Sequence, residues 1–309
     1  MYRYVLKRLM MLIPVILGVI LLIFIVMDLA PGDPVLMVAS PDATEEELEA
    51  LRVEMGLDKG LLHRYVSYVG NMLKGNLGTS YTTNRAVLEV YMERLPETLK
   101  LAVGAVLVAL LCSIPLGIIA AVHQNSWKDS VSMVTALIGV SMPSFWLGLL
   151  LMLLFALKLG WFPSGGTAGF KSIVLPSITM GMSLAAVMTR TTRSAMLDVL
   201  RSDYLRTARS KGVNEQKVIL KHAFKNALIP IITIFGSQFS YVIGGAVLVE
   251  TIFSYPGVGK MVVDAIGNRD IPSVTGGIVM TTILVTCVNL VIDLLYAFVD
   301  PRIKGQYVK

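Results

Sequence analysis

Six stretches of this 309-residue chain contain no charged residue, and each is about as long as the roughly 20 residues needed to cross a bilayer. They run Leu9–Met27, Leu101–Val122, Val131–Leu157, Ser172–Thr189, Asn226–Val249 and Ile271–Ile292. In hydrocarbon every backbone polar group must be satisfied internally, so only helices or a closed barrel can span. The runs are continuously apolar, without the alternation of a barrel strand, which predicts six transmembrane helices and an all-α fold. The fourth run carries Pro176, Gly181 and several hydroxyl residues, which predicts a helix buried among its neighbours. Composition agrees: charged residues make up 16% of the chain, against about 25% in soluble domains.

The basic residues give an orientation. Segments 1–8, 123–130, 190–225 and 300–309 together hold 16 of the 27 Lys and Arg residues. Segment 30–97 has six basic residues against eleven acidic ones, a net charge of −5. The positive-inside bias then places both termini in the cytoplasm and 30–97 outside. Met27-Asp28-Leu29-Ala30-Pro31 is no small-residue cleavage site, so the first run reads as an uncleaved signal anchor. The net charge of +6 does not indicate nucleic acid, because the charge lies in loops beside apolar spans with no aromatic interleaving.

Three regions follow: the N-terminal segment and first helix (1–29), an external helical insert (30–97) and a five-helix core (98–309) containing the cytoplasmic loop 190–225. Within the insert, Thr44-Glu45-Glu46-Glu47 has the form of a capping box, with Gly56 ending that helix. A second amphipathic helix is expected over Leu61–Leu73, a third near Arg85–Glu93, and Pro96 is placed to start the second span.

Loop 190–225 is longer than topology requires. Its pattern predicts two short helices broken at Gly212, a residue suited to positive φ. Tyr204, Ala208 and Lys211 share a face by i, i+4, i+7 spacing. Two readings fit: ordinary positive-inside charge on an interfacial loop, or a docking element for a partner.

The order Tyr204-Leu-Arg206-Thr207-Ala208-Arg209-Ser-Lys211-Gly212-Val213, followed by basic sequence and Asn226-Ala-Leu-Ile-Pro230, resembles the EAA loop of binding-protein-dependent ABC importer permeases. Arg206-Thr207 stands where the general signature has Glu-Ala, and the interval from Gly212 to Pro230 is longer. Both departures resemble the dipeptide/oligopeptide/nickel branch. So do Tyr4-Val-Leu-Lys-Arg-Leu9, Asp28-Leu-Ala-Pro-Gly-Asp-Pro34, Asn76-Leu-Gly-Thr-Ser80, Arg94-Leu-Pro-Glu-Thr-Leu99 and the stretch from Gly244 to Lys260. Several motifs in the same order cover nearly the whole chain.

The resemblance implies a type I importer permease in the bacterial inner membrane, without catalytic residues. It implies a homologous second permease, two ATPase subunits or domains that bind ATP and Mg, an external substrate-binding protein, and no cofactor on this chain. Asp203, Tyr204, Arg206, Thr207, Ala208, Arg209, Lys211, Gly212 and Val213 would dock into the ATPase. Gly212 would set the inter-helix angle, Ala208 would permit close approach, and the three cations would meet ATPase carboxylates. Di- or oligopeptides are the expected cargo, with nickel chelates, metallophores and glutathione open.

Polar groups inside spans are functional candidates by default. Met142, Pro143, Ser144, Gln238 and Asn289 are the candidates for the translocation pathway; inter-helix hydrogen bonding is the plainer role. Gly257-Val-Gly259-Lys260 is not a phosphate loop, because Ser254 and Met261 stand where glycine and Ser/Thr are required. The histidines His63, His123 and His222 and the two cysteines lack metal-ligand spacing. A secondary transporter would show inverted repeats and midplane ionisable groups, and a membrane enzyme would need paired acid/base groups or metal ligands in the spans. The sequence displays neither pattern.

Overall fold

The computed structural model describes residues 2–167 and 169–299; the expected cytoplasmic tail 300–309 lies outside the described residues. Among the described residues the elements are helices, with one isolated bridge between Thr79 and Ala86. Among the described residues five helices are long and apolar enough to cross a membrane, six if a bent pair counts as one span.

By contacts the chain divides into two compact units, residues 1–98 with 256–290, and residues 99–255 with the end of the last helix. In the first unit, helix α1 (Tyr2–Leu29) presents Ile16, Ile20, Ile23, Phe24 and Met27 at helical spacing. Ala265 from α11 (Val258–Gly267) and Ile271, Val274 and Val279 from α12 (Ile271–Val299) complete that core. Residues 256–290, from the far end of the sequence, therefore pack in the same unit as the insert.

The insert forms α2 (Glu45–Glu54) and α3 (Leu61–Leu73). The Thr44 hydroxyl accepts from Glu47 N at 3.3 Å, and the Glu47 carboxylate accepts from Thr44 N at 2.8 Å, so the capping box closes as expected. Gly56 ends α2 at φ +68°. Its N–H reaches the Val53 carbonyl and that of Leu57 the Arg52 carbonyl, the two bonds of a Schellman cap. Asp270, 1% exposed, fastens the loop after α3. It accepts from the Ser80 hydroxyl at 2.6 Å, Tyr81 N at 3.2 Å, the Thr82 hydroxyl at 3.2 Å and the Ser273 hydroxyl at 2.8 Å.

Two expected boundaries change. No separate helix ends before Pro96: α4 is continuous over Val87–Val122. A proline removes one backbone donor, and membrane helices tolerate this where local adjustment satisfies the freed carbonyl. Conversely, the single span expected over Val131–Leu157 is broken. Helix α5 (Trp127–Ser141) and the helical run Ser144–Lys158, made of α6 (Ser144–Leu151) and a π-helical stretch (Met152–Lys158), meet at 99°. Pro143 disfavours helical backbone at the residue before it, and Met142 is extended, with φ −86° and ψ 125°.

The second unit is organised around α7 (Lys171–Leu200). Its apolar stretch is 67% buried, against 17% for α1, so the fourth run is the enclosed helix its composition predicts. Small residues allow the close approach. A methyl group added at Gly181 would lie 2.6 Å from the Ala105 carbonyl oxygen, and one at Gly117 would lie 2.5 Å from Thr192 Cβ. Helix α10 (Phe224–Ile252) packs along α7.

Candidate functional site

After α7 the chain turns at Ser202 into α8 (Asp203–Ser210). Asp203 lies in its first turn and Arg209 in its last, each charge favourably placed in the helix dipole. Leu205 is completely buried and anchors the inner face. Gly212 then takes φ +77°. Its N–H donates to the Arg209 carbonyl at 2.9 Å, and Val213 N–H donates to the Ala208 carbonyl at 3.3 Å. These are again the paired bonds of a Schellman cap, so Ala208, Gly212 and Val213 act together in ending α8. Every residue expected in the docking element falls on α8 or on this turn.

The second arm differs from expectation. It is not a separate short helix: α9 (Glu215–Lys217), capped by the Asn214 side chain on Gln216 N, passes through a π-helical stretch (Val218–Ala223) into α10 without a break. The long helix therefore starts at Glu215 rather than at Asn226, and Pro230 lies inside it. The wider π register accommodates an extra residue within a continuous helix, a change that hydrophobic periodicity does not reveal.

Two side chains expected to face outward are engaged within the chain. The Tyr204 hydroxyl accepts from Asn226 Nδ2 at 2.7 Å and donates to the His222 carbonyl at 3.4 Å, tying α8 to the base of the long helix. Arg209 pairs with Glu215 across the Gly212 turn, at 2.8 Å and 3.0 Å. The Arg209 guanidinium holds the Glu215 carboxyl below its ordinary range. Arg206 and Lys211 are exposed. The result is a stiff wedge of two arms with a cationic outer edge.

A cavity of ≈ 480 Å³ lies at the α5–α6 break. Met142, Pro143 and Ser144 from the break, Met180 from α7, and Gln238 and Tyr241 from α10 are among its lining residues, and none of the described residues lining it is charged. Four of the five pathway candidates are thus brought to one place. Asn289 lies on α12 and belongs to the first unit. Because Met142 and Pro143 break the helix, their backbone is at the cavity wall rather than inside a regular ladder.

One pair was not singled out in the sequence. Asp129, 5% exposed at the start of α5, accepts from Arg193 of α7 at 2.7 Å through Nε and 2.7 Å through Nη2, and also from Asn125 N at 3.0 Å. The available signal was an acid at the mouth of a span facing a basic segment, which topology alone explains equally well.

Apolar helices long enough to cross a membrane, with an uncharged cavity among them, fit a membrane-embedded transport subunit. The family profile described as the binding-protein-dependent transport system inner membrane component matches residues 113–305, and its N-terminal counterpart matches residues 1–102. The chain belongs to this family; it is an ABC importer permease. It is 41% identical over 304 residues to the glutathione transport system permease protein GsiC of Escherichia coli (strain K12), covering 98% of this chain and 99% of that one. It is 42% identical over the same length to the GsiC protein of Salmonella typhi, with the same coverage. Among solved structures, the inward-facing MetNI methionine ABC transporter aligns with TM-score 0.59 at 18% identity, over 69% of this chain and 97% of that one. An amino acid ABC transporter with histidines aligns with TM-score 0.52 at 13% identity, over 70% and 94%. These two share the fold of type I importer permeases. ATP hydrolysis in such systems belongs to separate ATPase subunits, and the chain is a multi-pass inner-membrane protein.

Proposed function

We propose that this permease forms half of a pathway for short peptides, with a homologous second permease supplying the other half. The uncharged cavity carries the reading. Its walls offer the Gln238 amide, the Ser144 hydroxyl and the Tyr241 phenol among Met and Val side chains. Such groups can pair with peptide amides without selecting a charge, which suits a pathway whose selectivity resides in the external binding protein. Both termini lie in the cytoplasm, as the Lys/Arg distribution supports. The wedge of α8 and α9 enters an ATPase groove, where Arg206 and Lys211 meet carboxylates. Closure of the ATPase pair on ATP then moves the wedge as a rigid body. ATP and Mg stay on those subunits.

Glutathione is the second reading, favoured by the near-complete match to GsiC proteins; nickel chelates and metallophores follow. The test is ATPase activity of the assembled complex, in vesicles with its binding protein, on titration with dipeptides, longer peptides, glutathione and a nickel chelate. Greatest stimulation by di- or oligopeptides supports the reading. Stimulation confined to glutathione or to the chelate replaces it.

A further inference from the structure

Among the described residues of its unit, helix α3 has a face that no other element covers. At about 100° per residue, Leu61, Tyr65, Tyr68 and Met72 share one sector, and all four pack against the core that α1 helps to build. The adjoining sector holds Leu62, Val66 and Leu73, within about 40° of one another. They are 70%, 60% and 80% exposed. His63, Ser67, Asn71 and Lys74 share the opposite side and are exposed as well. The helix is therefore apolar over one broad arc, half of it covered by protein, and polar over the other.

The depth of α3 follows from α1. The apolar stretch of α1 runs Val5–Leu29, 25 residues. The hydrocarbon layer takes up about 20 of them, so every placement leaves Leu17 at least about 10 Å inside both boundaries. The Tyr65 hydroxyl donates to the Leu17 carbonyl at 3.3 Å. Tyr65 and Tyr68 also pack their rings on Phe24, with centroids 6.4 Å and 5.7 Å away. Arg64 turns the other way, to Asp28 near the end of α1, as a cation does when it reaches from an apolar level to the interface. At 13 residues α3 is too short to span.

We propose that α3 is an in-plane membrane helix, with Leu62, Val66 and Leu73 buried among lipid acyl chains in the leaflet where α1 ends. Helix α1, against which α3 packs, likewise leaves apolar side chains uncovered: Leu22 and Val26 are 61% and 53% exposed. The polar arc from His63 to Lys74 lies at the headgroups, the disposition of an interfacial amphipathic helix. The insert is thus divided between a helix held in the membrane and the acidic α2, none of whose residues is buried. This inference requires only that α1 crosses the bilayer, and it stands apart from the identity of the cargo.

The test places single cysteines (Leu62→Cys, Val66→Cys, Leu73→Cys, Ser67→Cys, and Glu46→Cys on α2) in a Cys112→Ser, Cys287→Ser background. The full complex is reconstituted in phosphatidylethanolamine–phosphatidylglycerol vesicles and nitroxide-labelled. Labels at 62, 66 and 73 should be several-fold more accessible to oxygen, relative to a water-soluble nickel chelate, than labels at 46 and 67. Equal chelate access at 46 and 66 would mean that the face meets water and would overturn the proposal. Low access to both reagents would mean that a protein partner covers it, which overturns it too. Should a cysteine variant fail to assemble, the fluorescence that Val66→Trp adds to the three native tryptophans decides: quenching of that added signal by lipids brominated on their acyl chains supports the proposal, and no quenching of it contradicts it.

Discussion

Arg193 grips Asp129 with two parallel hydrogen bonds of 2.7 Å each, joining the start of α5 to α7. The same two helices meet again where a methyl group at Gly139 would lie 3.0 Å from the Met182 carbonyl oxygen. Asp129, Ser132, Ala136 and Gly139 form the buried stripe of α5. The helices are thus locked antiparallel from the ion pair to the cavity wall. Asp129→Asn keeps the shape and removes the charge, leaving Arg193 uncompensated. Arg193 keeps 24% of its side chain exposed, so removing the carboxylate charge costs about 1–3 kcal/mol, less than for a fully buried pair, and the detergent-solubilised permease should melt a few degrees lower. An unchanged melting temperature would show that the pair is not a structural lock.

Gly212 provides the second prediction. At φ +77° a side chain with Cβ costs about 1–2 kcal/mol, although nothing lies within 4 Å of the added carbon. The cost is therefore conformational rather than steric. Gly212→Val should abolish binding-protein-stimulated ATPase activity of the assembled complex, whereas Gly212→Asn, which tolerates positive φ, should retain most of it. Equal activity in both variants would remove the turn from the coupling account.

How much of this was legible beforehand differs by element. The spans, the Thr44 capping box and the helix Leu61–Leu73 could be read because each rests on local pattern: apolar length, a cap three residues from its partner, 3.6-residue periodicity. The turn after α8 could be read because Gly212 marks it directly. The break at Pro143 was harder, since prolines also occur inside intact helices of this chain, Pro176 and Pro230 among them. The Asp129–Arg193 pair joins positions 64 residues apart, and no local signal encodes such a contact. Asn289 looked equivalent to Gln238 by composition, yet only Gln238 reaches the cavity.

The Arg209–Glu215 pair makes the wedge sensitive to acid. Arg209 lowers the Glu215 carboxyl below its ordinary value, so the pair's contribution is full above about pH 4.3 and is lost as pH falls through the lowered value. Both side chains are more than a third exposed, at 40% and 55%, so the effect is small, as for surface pairs. A spin label at Lys211 should gain mobility as the pH falls through that lowered value, and Glu215→Gln should show that mobility already at neutral pH. Mobility indifferent to both changes would contradict the pairing in solution.

Packing around α7 gives a stability prediction. A Cβ at Gly181 would meet the Ala105 carbonyl oxygen at 2.6 Å and the Val108 side chain at 2.8 Å. Backbone cannot yield as a flexible side chain does, so Gly181→Val should cost about 1–3 kcal/mol. Gly244→Ala, where nothing lies within 4 Å, should be nearly neutral in the isolated permease. Thermal melts of the two variants side by side would check this, and equal losses would contradict the close approach of α4 and α7.

The central claim is that the α8–α9 wedge meets the ATPase, and disulfide cross-linking tests it most directly. Single cysteines at Arg206 and Lys211, paired with cysteines along the ATPase groove, should cross-link in the assembled complex in membranes. The bridge should form in a register that changes on ATP binding, and locking it should abolish cargo-stimulated hydrolysis. Efficient cross-linking from Lys128 in loop 123–130 instead, with none from 206 or 211 and hydrolysis unaffected by the lock, would contradict the account.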